Sequence, residues 1–307
     1  MARVFITRRL PGPALDRMRD AHDVEVWEGR LPPSHEELLE RAARVDGLLT
    51  LLTDRIDAAL LDASPHLRVI SNYAVGFDNV DIAAATARGI PVGHTPDVLT
   101  EATADLAFTL LMAAARHLPS AMAAARAGDW LTWEPGMHLG ADVHGATLAI
   151  VGAGRIGTAV ARRAGGFDMT VLSLGRDGDV AAALAAADFV SLHVPLTPAT
   201  RHLIDAAALE RMKPTAILIN TARGEVVDQV ALAGALREGQ IAGAALDVTT
   251  PEPLPASDPL WQAPNLLITP HVGSATRSAR ERMTEIAVEN LLAGLDGLPL
   301  PHPVPTG

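Results

Sequence analysis

Thr147-Leu148-Ala149-Ile150-Val151-Gly152-Ala153-Gly154-Arg155-Ile156-Gly157 is an apolar run that meets three spaced glycines and then opens a helix-favouring segment. The run has the length of a buried strand. Gly152 permits the tight turn after it, Gly154 leaves room for close approach of a pyrophosphate, and Gly157 lets the helix pack closely on the strand. The first helical residues, Arg155 and Ile156, offer backbone N–H groups and the positive end of a helix dipole to an anion. A bare G-x-G-x-x-G is a weak signal, but between a strand and a helix it predicts a dinucleotide-binding turn.

Similar units extend in both directions. Toward the N-terminus, Val4–Ile6, Val24–Trp27, Gly47–Leu52, Leu67–Ser71 and Ile90–Gly93 read as strands, separated by helical stretches such as Ser34–Arg44 and Val80–Arg88. Ser34 with Glu37 three residues later has the form of a capping box. Toward the C-terminus, strands are predicted at Thr170–Leu174, Phe189–His193, Ala216–Asn220, Gly243–Leu246 and Leu266–Thr269, with a last helix over Thr276–Leu292. One long helical run, Leu99 to Ala127, separates the two series and is closed by Gly128. Alternation of this kind predicts an α/β protein with two doubly wound parallel-sheet domains. Residues 1–98, completed by 277–307, form the first, and 99–276 form the second, which is of the Rossmann type. The last helix is expected to pack back on the first domain.

The strand after the glycine turn bears on cofactor choice. Eighteen residues beyond Gly157 stands Gly175, where an NAD site places an acidic residue that binds the ribose 2′-hydroxyl and repels a 2′-phosphate. Here Gly175 is followed by Arg176, which favours NADP(H), with NAD(H) as the alternative; Asp177 works against that preference.

Three residues just beyond strand ends suit one reaction. They are Arg223 in Asn220-Thr221-Ala222-Arg223-Gly224, Glu252 in Thr249-Thr250-Pro251-Glu252-Pro253, and His271 in Thr269-Pro270-His271-Val272-Gly273-Ser274. Ligands of open α/β sheets bind beyond the carboxyl ends of strands. An arginine clamps a carboxylate bidentately. A histidine delivers a proton to a reduced carbonyl oxygen, and a glutamate steadies the imidazole through its other nitrogen. Singly, each has an ordinary structural role; in this order, downstream of a nucleotide turn, they make a catalytic set.

At these residues the chain resembles the D-isomer-specific 2-hydroxyacid dehydrogenases, and among them the glyoxylate/hydroxypyruvate reductases. Val4-Phe5-Ile6-Thr7-Arg8-Arg9, Gly47-Leu48-Leu49-Thr50-Leu51-Leu52, His94-Thr95-Pro96-Asp97-Val98-Leu99-Thr100 and His271-Val272-Gly273-Ser274-Ala275-Thr276 also carry the likeness, which spans nearly the whole chain. The resemblance implies a flavodoxin-like substrate domain and reduction of a small 2-oxo acid. It implies that backbone N–H groups of Ala74-Val75-Gly76, chiefly Val75 and Gly76, hold the substrate carboxylate with Arg223, and that Ser274 lies near the substrate. It implies that Thr221, Asp247 and Gly273 line the nicotinamide. It further implies a homodimer in which Trp130 and Trp133 belong to a loop crossing the interface, with Trp133 reaching the partner's substrate. One departure stands out. Only 14 residues separate Leu174 from Phe189, where the family usually has roughly a dozen more, holding a helix and a short edge strand.

Composition narrows the function classes. The formal net charge of −11 disfavours nucleic acid and anionic membranes as partners. No cysteine is present, which excludes disulfides and thiolate metal sites, and no metal site is expected. The N-terminus reads as a strand rather than a signal peptide, and no run of about 18 apolar residues occurs; a cytoplasmic protein is expected. The alternatives are a D-lactate or phosphoglycerate type of dehydrogenase and a nucleotide-sensing corepressor. No regulatory domain is expected after residue 307, which counts against the fuller phosphoglycerate enzymes, and the acidic charge counts against the corepressor.

Overall fold

The computed structural model describes residues 1–305, and in it the alternation of side chains along the strands sets a core on each face of two sheets. Two compact units result: Met1–Leu99 together with the residues from Ala275 onward, and Thr100–Ser274. Leu99, Ala275 and Thr276 thus go with the first unit rather than the second. Leu99 packs against the first unit's core, and the Thr276 side chain caps the last helix, which belongs to that unit.

In the first unit, β1 (Arg3–Ile6), β2 (Asp23–Val26), β3 (Gly47–Thr50), β4 (Val69–Asn72) and β5 (Val92–Gly93) pair in the order β2-β1-β3-β4-β5, and all their pairings are parallel. This is the flavodoxin-like order. Val4, Ile6, Leu49 and Val69 pack on one face with Met283, Val288 and Leu291. Phe5, Leu48, Ile70 and Val92 pack on the other with Leu38 and Leu60. The helices are α1 (Ala14–Ala21), α2 (His35–Ala42), α3 (Ala58–Asp62), α4 (Ile82–Ala87) and the terminal one, Arg277–Leu295. The capping box at Ser34 and Glu37 is formed in both directions.

The second unit opens with α5 (Thr100–Ala115) and α6 (Leu118–Ala127). The single helical run expected from Leu99 to Ala127 is therefore two helices, bent by 60°. His117 takes a left-handed conformation at φ 50°, and Pro119 lies in the first turn of α6, where no N–H is needed. Then follow β6 (Thr147–Val151), α7 (Arg155–Gly165), β7 (Thr170–Leu174), α8 (Val180–Ala186), β8 (Phe189–Leu192), α9 (Ala206–Arg211), β9 (Ile217–Asn220), α10 (Gln229–Glu238), β10 (Gly243–Leu246) and β11 (Leu266–Ile268); the terminal helix of the first unit is α11. The sheet runs β11-β10-β9-β8-β6-β7. Ala149, Val190, Leu218 and Ala244 face one core, while Leu148, Phe189, Ile219 and Ala245 face the other with α5. Each such leucine, isoleucine or phenylalanine contributes about 1.5–3 kcal/mol through burial.

Compared with the Rossmann order 3-2-1-4-5-6, this sheet lacks the outermost strand beside β7 and adds β11 at the other edge. The short connection has room for α8 alone, so β7 ends the sheet. Among the described residues no single helix is long and apolar enough to cross a membrane.

Candidate active site

The glycine turn is built as its sequence requires. Gly152 has φ +105°, and a Cβ there would lie 2.6 Å from the His193 carbonyl. A Cβ on Gly157 would stand 2.1 Å from the Gly152 carbonyl oxygen, so α7 could not seat on the turn. Around Gly154, by contrast, nothing lies within 4 Å of a built Cβ. Serine, threonine or aspartate side chains cap α2, α3, α4 and α8 to α11, but no side chain caps α7. A helix start without a side-chain cap suits an anionic ligand. The N–H groups of Gly152 and Ala153 both donate to the Leu174 carbonyl, at 3.0 Å, which brings the Gly175-Arg176 corner beside the turn. Arg176 and Asp177 are exposed.

Among the described residues, two buried polar atoms of this unit lack a partner: Thr221 Oγ1 and His193 Nδ1. His193 is held by Ser191 Oγ at its Nε2, 2.8 Å away, and burial pushes its imidazole down to about pKa 4. The open space at Gly154, the uncapped α7 and the orphaned Thr221 hydroxyl fit a dinucleotide. The phosphates would rest on Gly154, Arg155 and Ile156, and the nicotinamide would lie by Thr221. The adenosine end has less wall, because the strand that would flank it is absent.

The catalytic candidates follow three adjacent strands, β9, β10 and β11, whose last residues Asn220, Leu246 and Ile268 are in register. His271 and Glu252 meet: Nδ1 lies 2.8 Å from Glu252 Oε2. A carboxylate only accepts, so Nδ1 carries the hydrogen and Nε2 is left to exchange a proton. Glu252 Oε1 accepts from the Thr249 N–H at 3.1 Å, fixing the carboxylate plane. His271 sits at φ 52°, a left-handed conformation uncommon outside glycine, and its own N–H donates to the Asp247 and Thr269 carbonyls. Arg223 is half-buried, with Nη1 donating to the Ala222 carbonyl at 2.9 Å. Gly224 is obligatory beside it, since a Cβ there would lie 2.2 Å from Thr249 backbone.

Asp247, just after β10, is buried. Its Oδ1 accepts from Val272 N–H at 2.8 Å and from the Thr269 hydroxyl at 2.6 Å, and its Oδ2 accepts from Gly273 N–H at 2.7 Å. The buried carboxylate thus anchors the loop that carries His271. Gln229 clamps the Glu252 loop in the same way, donating to the Thr250 carbonyl and accepting from its N–H, both at 2.6 Å. Sequence reasoning did not single out Gln229; its only signal was its place in the first turn of α10.

In the first unit the Tyr73–Gly76 loop follows β4. The His94 Nδ1–H donates to the Val75 carbonyl at 2.8 Å, and Asn72 Nδ2 donates to the Gly76 carbonyl at 3.1 Å. Asn72 is held in turn by Thr50 and Asn79. The loop's carbonyls are tied down, while the Val75 and Gly76 N–H groups have no acceptor among the described residues. Asn72 and Asn79 also escaped sequence reasoning.

Residues 108–273 match the family model described as "D-isomer specific 2-hydroxyacid dehydrogenase, NAD binding domain". The chain belongs to the D-isomer-specific 2-hydroxyacid dehydrogenase family. It is thus an oxidoreductase with a nicotinamide-dinucleotide domain. The chain is similar to a glyoxylate reductase of Korarchaeum cryptofilum, 50% identical over 305 residues that cover 95% of this chain and 92% of that one. A solved protein of Thermus thermophilus superposes with a TM-score of 0.94 at 51% identity, covering 99% of this chain and all of the other. An NADPH-dependent glyoxylate/hydroxypyruvate reductase from Sinorhizobium meliloti, solved with NADP and malonate, has a TM-score of 0.85 at 32% identity over 98% of this chain and 96% of its own.

Proposed function

We propose that this dehydrogenase reduces glyoxylate, hydroxypyruvate or a similar small 2-oxo acid to the 2-hydroxy acid, taking NADP(H) in preference to NAD(H). The Glu252–His271 pair, with Nε2 free for proton exchange, carries the reading. When bound, the reduced nicotinamide supplies a hydride to C2. His271, as imidazolium, gives its Nε2 proton to the carbonyl oxygen as that hydride arrives, and takes a proton from solvent afterwards. Glu252 accepts from Nδ1–H and so stabilises the cationic ring before transfer. Arg223 clamps the carboxylate, which fixes the face of C2 presented for attack; the amides of Val75 and Gly76 in the first unit are also suited to a carboxylate. The relatives named glyoxylate reductase support the substrate class, and the Gly175-Arg176 corner supports NADP(H).

The active form in this proposal is a cytoplasmic homodimer. No residue of α6 is buried, and residues 127–140 are exposed throughout. That segment holds Trp130 at 65% and Trp133 at 76% exposure, with Leu131 and Leu139. A second copy is the natural cover for so large an apolar surface, and Trp133 then contributes to the partner's substrate site, with Ser274 near the substrate. The acidic surface supports a reading without nucleic acid or membrane partners.

Steady-state reduction of glyoxylate, hydroxypyruvate, pyruvate and 2-oxoglutarate with NADPH and with NADH tests the proposal. Glyoxylate or hydroxypyruvate should give the highest kcat/KM, with NADPH ahead of NADH. A chain that oxidises neither cofactor with any of these acids is a binding protein, not a reductase.

A further inference from the structure

The first unit has its own topological switch point, between β1 and β3, where neighbouring connections leave the sheet in opposite directions. Open α/β sheets bind ligands in the crevice formed there. In this chain the crevice is a cleft of about 550 Å³, within the range of small-molecule sites. Its walls are the segment after β1 (Arg8 to Gly12), Leu51 after β3, Tyr73 after β4, and the first turns of α11.

The lining is unusual for so acidic a chain. Arg8, Arg9, Arg277 and Arg280 all border the cleft, against one carboxylate, Glu281. Arg8 is oriented by its Nη1 donating to the Leu31 carbonyl at 2.6 Å. Arg277 reaches Glu281 only at 4.0 Å, with its side chain 90% exposed. The walls themselves are fixed. The Tyr73 hydroxyl donates to the Arg280 carbonyl at 2.7 Å, and Gly12, at φ +84°, lets the loop after β1 approach Glu281, whose Cγ would lie 3.1 Å from an added Cβ. An open cleft bordered by the guanidinium groups of Arg8, Arg9 and Arg277, in a protein of net charge −11, attracts negative charge. Planar guanidinium forks match carboxylate and phosphate oxygens.

We propose that this cleft binds a compact oxyanion, a phosphoryl or a second carboxylate. It has two sources of the same chemistry: the far end of a 2-oxo acid longer than glyoxylate, or a free oxyanion. The first rests on the reductase reading above, because Tyr73 lies two residues before Val75 in the loop assigned to the substrate carboxylate. The second does not.

The test uses the full chain and the Arg9→Gln/Arg277→Gln double variant, neither residue having a part in the catalytic set. Calorimetric titration with inorganic phosphate at constant ionic strength should show binding to the wild type, weakened roughly tenfold to a hundredfold in the variant. In kinetics, a rise of similar size in KM for oxaloacetate, with glyoxylate unchanged, assigns the group to the substrate's own tail. Phosphate binding that the variant loses, with both acids unchanged, assigns it to a free ion. If the variant alters neither phosphate binding nor the KM for oxaloacetate, or if phosphate binds nowhere and oxaloacetate is not turned over, the cleft is not an anion site. If wild type reduces neither acid yet binds phosphate in the cleft, the reductase reading fails and the anion site stands.

Discussion

His271 combines two demands that conflict in most side chains: an acid–base ring and a left-handed backbone. Asparagine tolerates that conformation well, so His271→Asn removes the acid and spares the loop. We expect kcat for 2-oxo acid reduction to fall by about 10²–10⁴, with NADPH binding, followed by fluorescence, kept within roughly twofold of wild type. Near-native turnover would remove His271 from the proton transfer. For Arg223→Lys we expect kcat/KM to fall roughly tenfold or more, because a point charge replaces a planar fork; native kinetics would mean that another group clamps the carboxylate. His193 gives a prediction of a different kind. Its folded pKa lies near 4 and its ordinary value is 6.5, so between those values the unfolded chain binds the extra proton and stability falls as pH falls. The loss is complete below about pH 4, is absent above about pH 6.5, and amounts to about 3 kcal/mol at most. Denaturant titrations from pH 7 to 4 should show a shallower decline in His193→Asn than in wild type, and equal slopes would count against the buried neutral ring. The candidate residues Arg223, Glu252 and His271 could be named from sequence because strand ends and residue chemistry are local information, and of these the structure brings His271 and Glu252 together. The supports, Asn72, Gln229 and the loop-anchoring carboxylate of Asp247, could not be read in that way. Each acts by hydrogen bonds to backbone whose path only the folded loops define.

Among elements, the strands were the most legible, since apolar runs bounded by turns need little context. β6, β7 and β10 have the limits expected from sequence, and the others differ by a residue or two at their ends. The long helical run failed at His117-Leu118-Pro119, because alanine-rich sequence on both sides masks a break that one left-handed residue and one proline produce. The short β7–α8 connection was readable by counting, and its effect on the sheet follows: β7 is the edge strand, so in the proposed binding mode an exposed corner rather than a walled pocket would meet the adenosine end. Arg176→Ala should therefore raise the KM for NADPH while leaving NADH nearly unchanged. The effect should shrink at high salt, since an exposed arginine–phosphate contact is screened. Equal damage to both cofactors would show that Arg176 does not read the phosphate.

On the scale of the whole molecule, the acidic charge and the glycine turn made the class legible, whereas the exposed Trp130–Leu139 stretch could be read only through family likeness. Composition does not reveal which apolar residues remain uncovered. Light scattering at micromolar concentration should report twice the 32.1 kDa chain mass, and Trp130→Ser/Trp133→Ser should shift it toward monomer; a wild-type monomer would refute the dimer. The order in which the chain leaves the ribosome has its own consequence. The first unit's core is closed by Met283, Val288 and Leu291 of α11, which are made only after the entire second unit. At about 5–20 residues per second, the unfinished sheet β1–β5 waits roughly 10–35 s for its covering helix. During that interval Leu49 and Val69, on the strands that α11 covers, lack that cover, and Leu15 and Met18 of α1 hold only part of the same core. A chain truncated after Ser274, which lacks α11 but keeps every strand of the nucleotide unit, should leave the first unit sensitive to protease and the nucleotide unit resistant; equal resistance of both would show that the first sheet closes without its last helix.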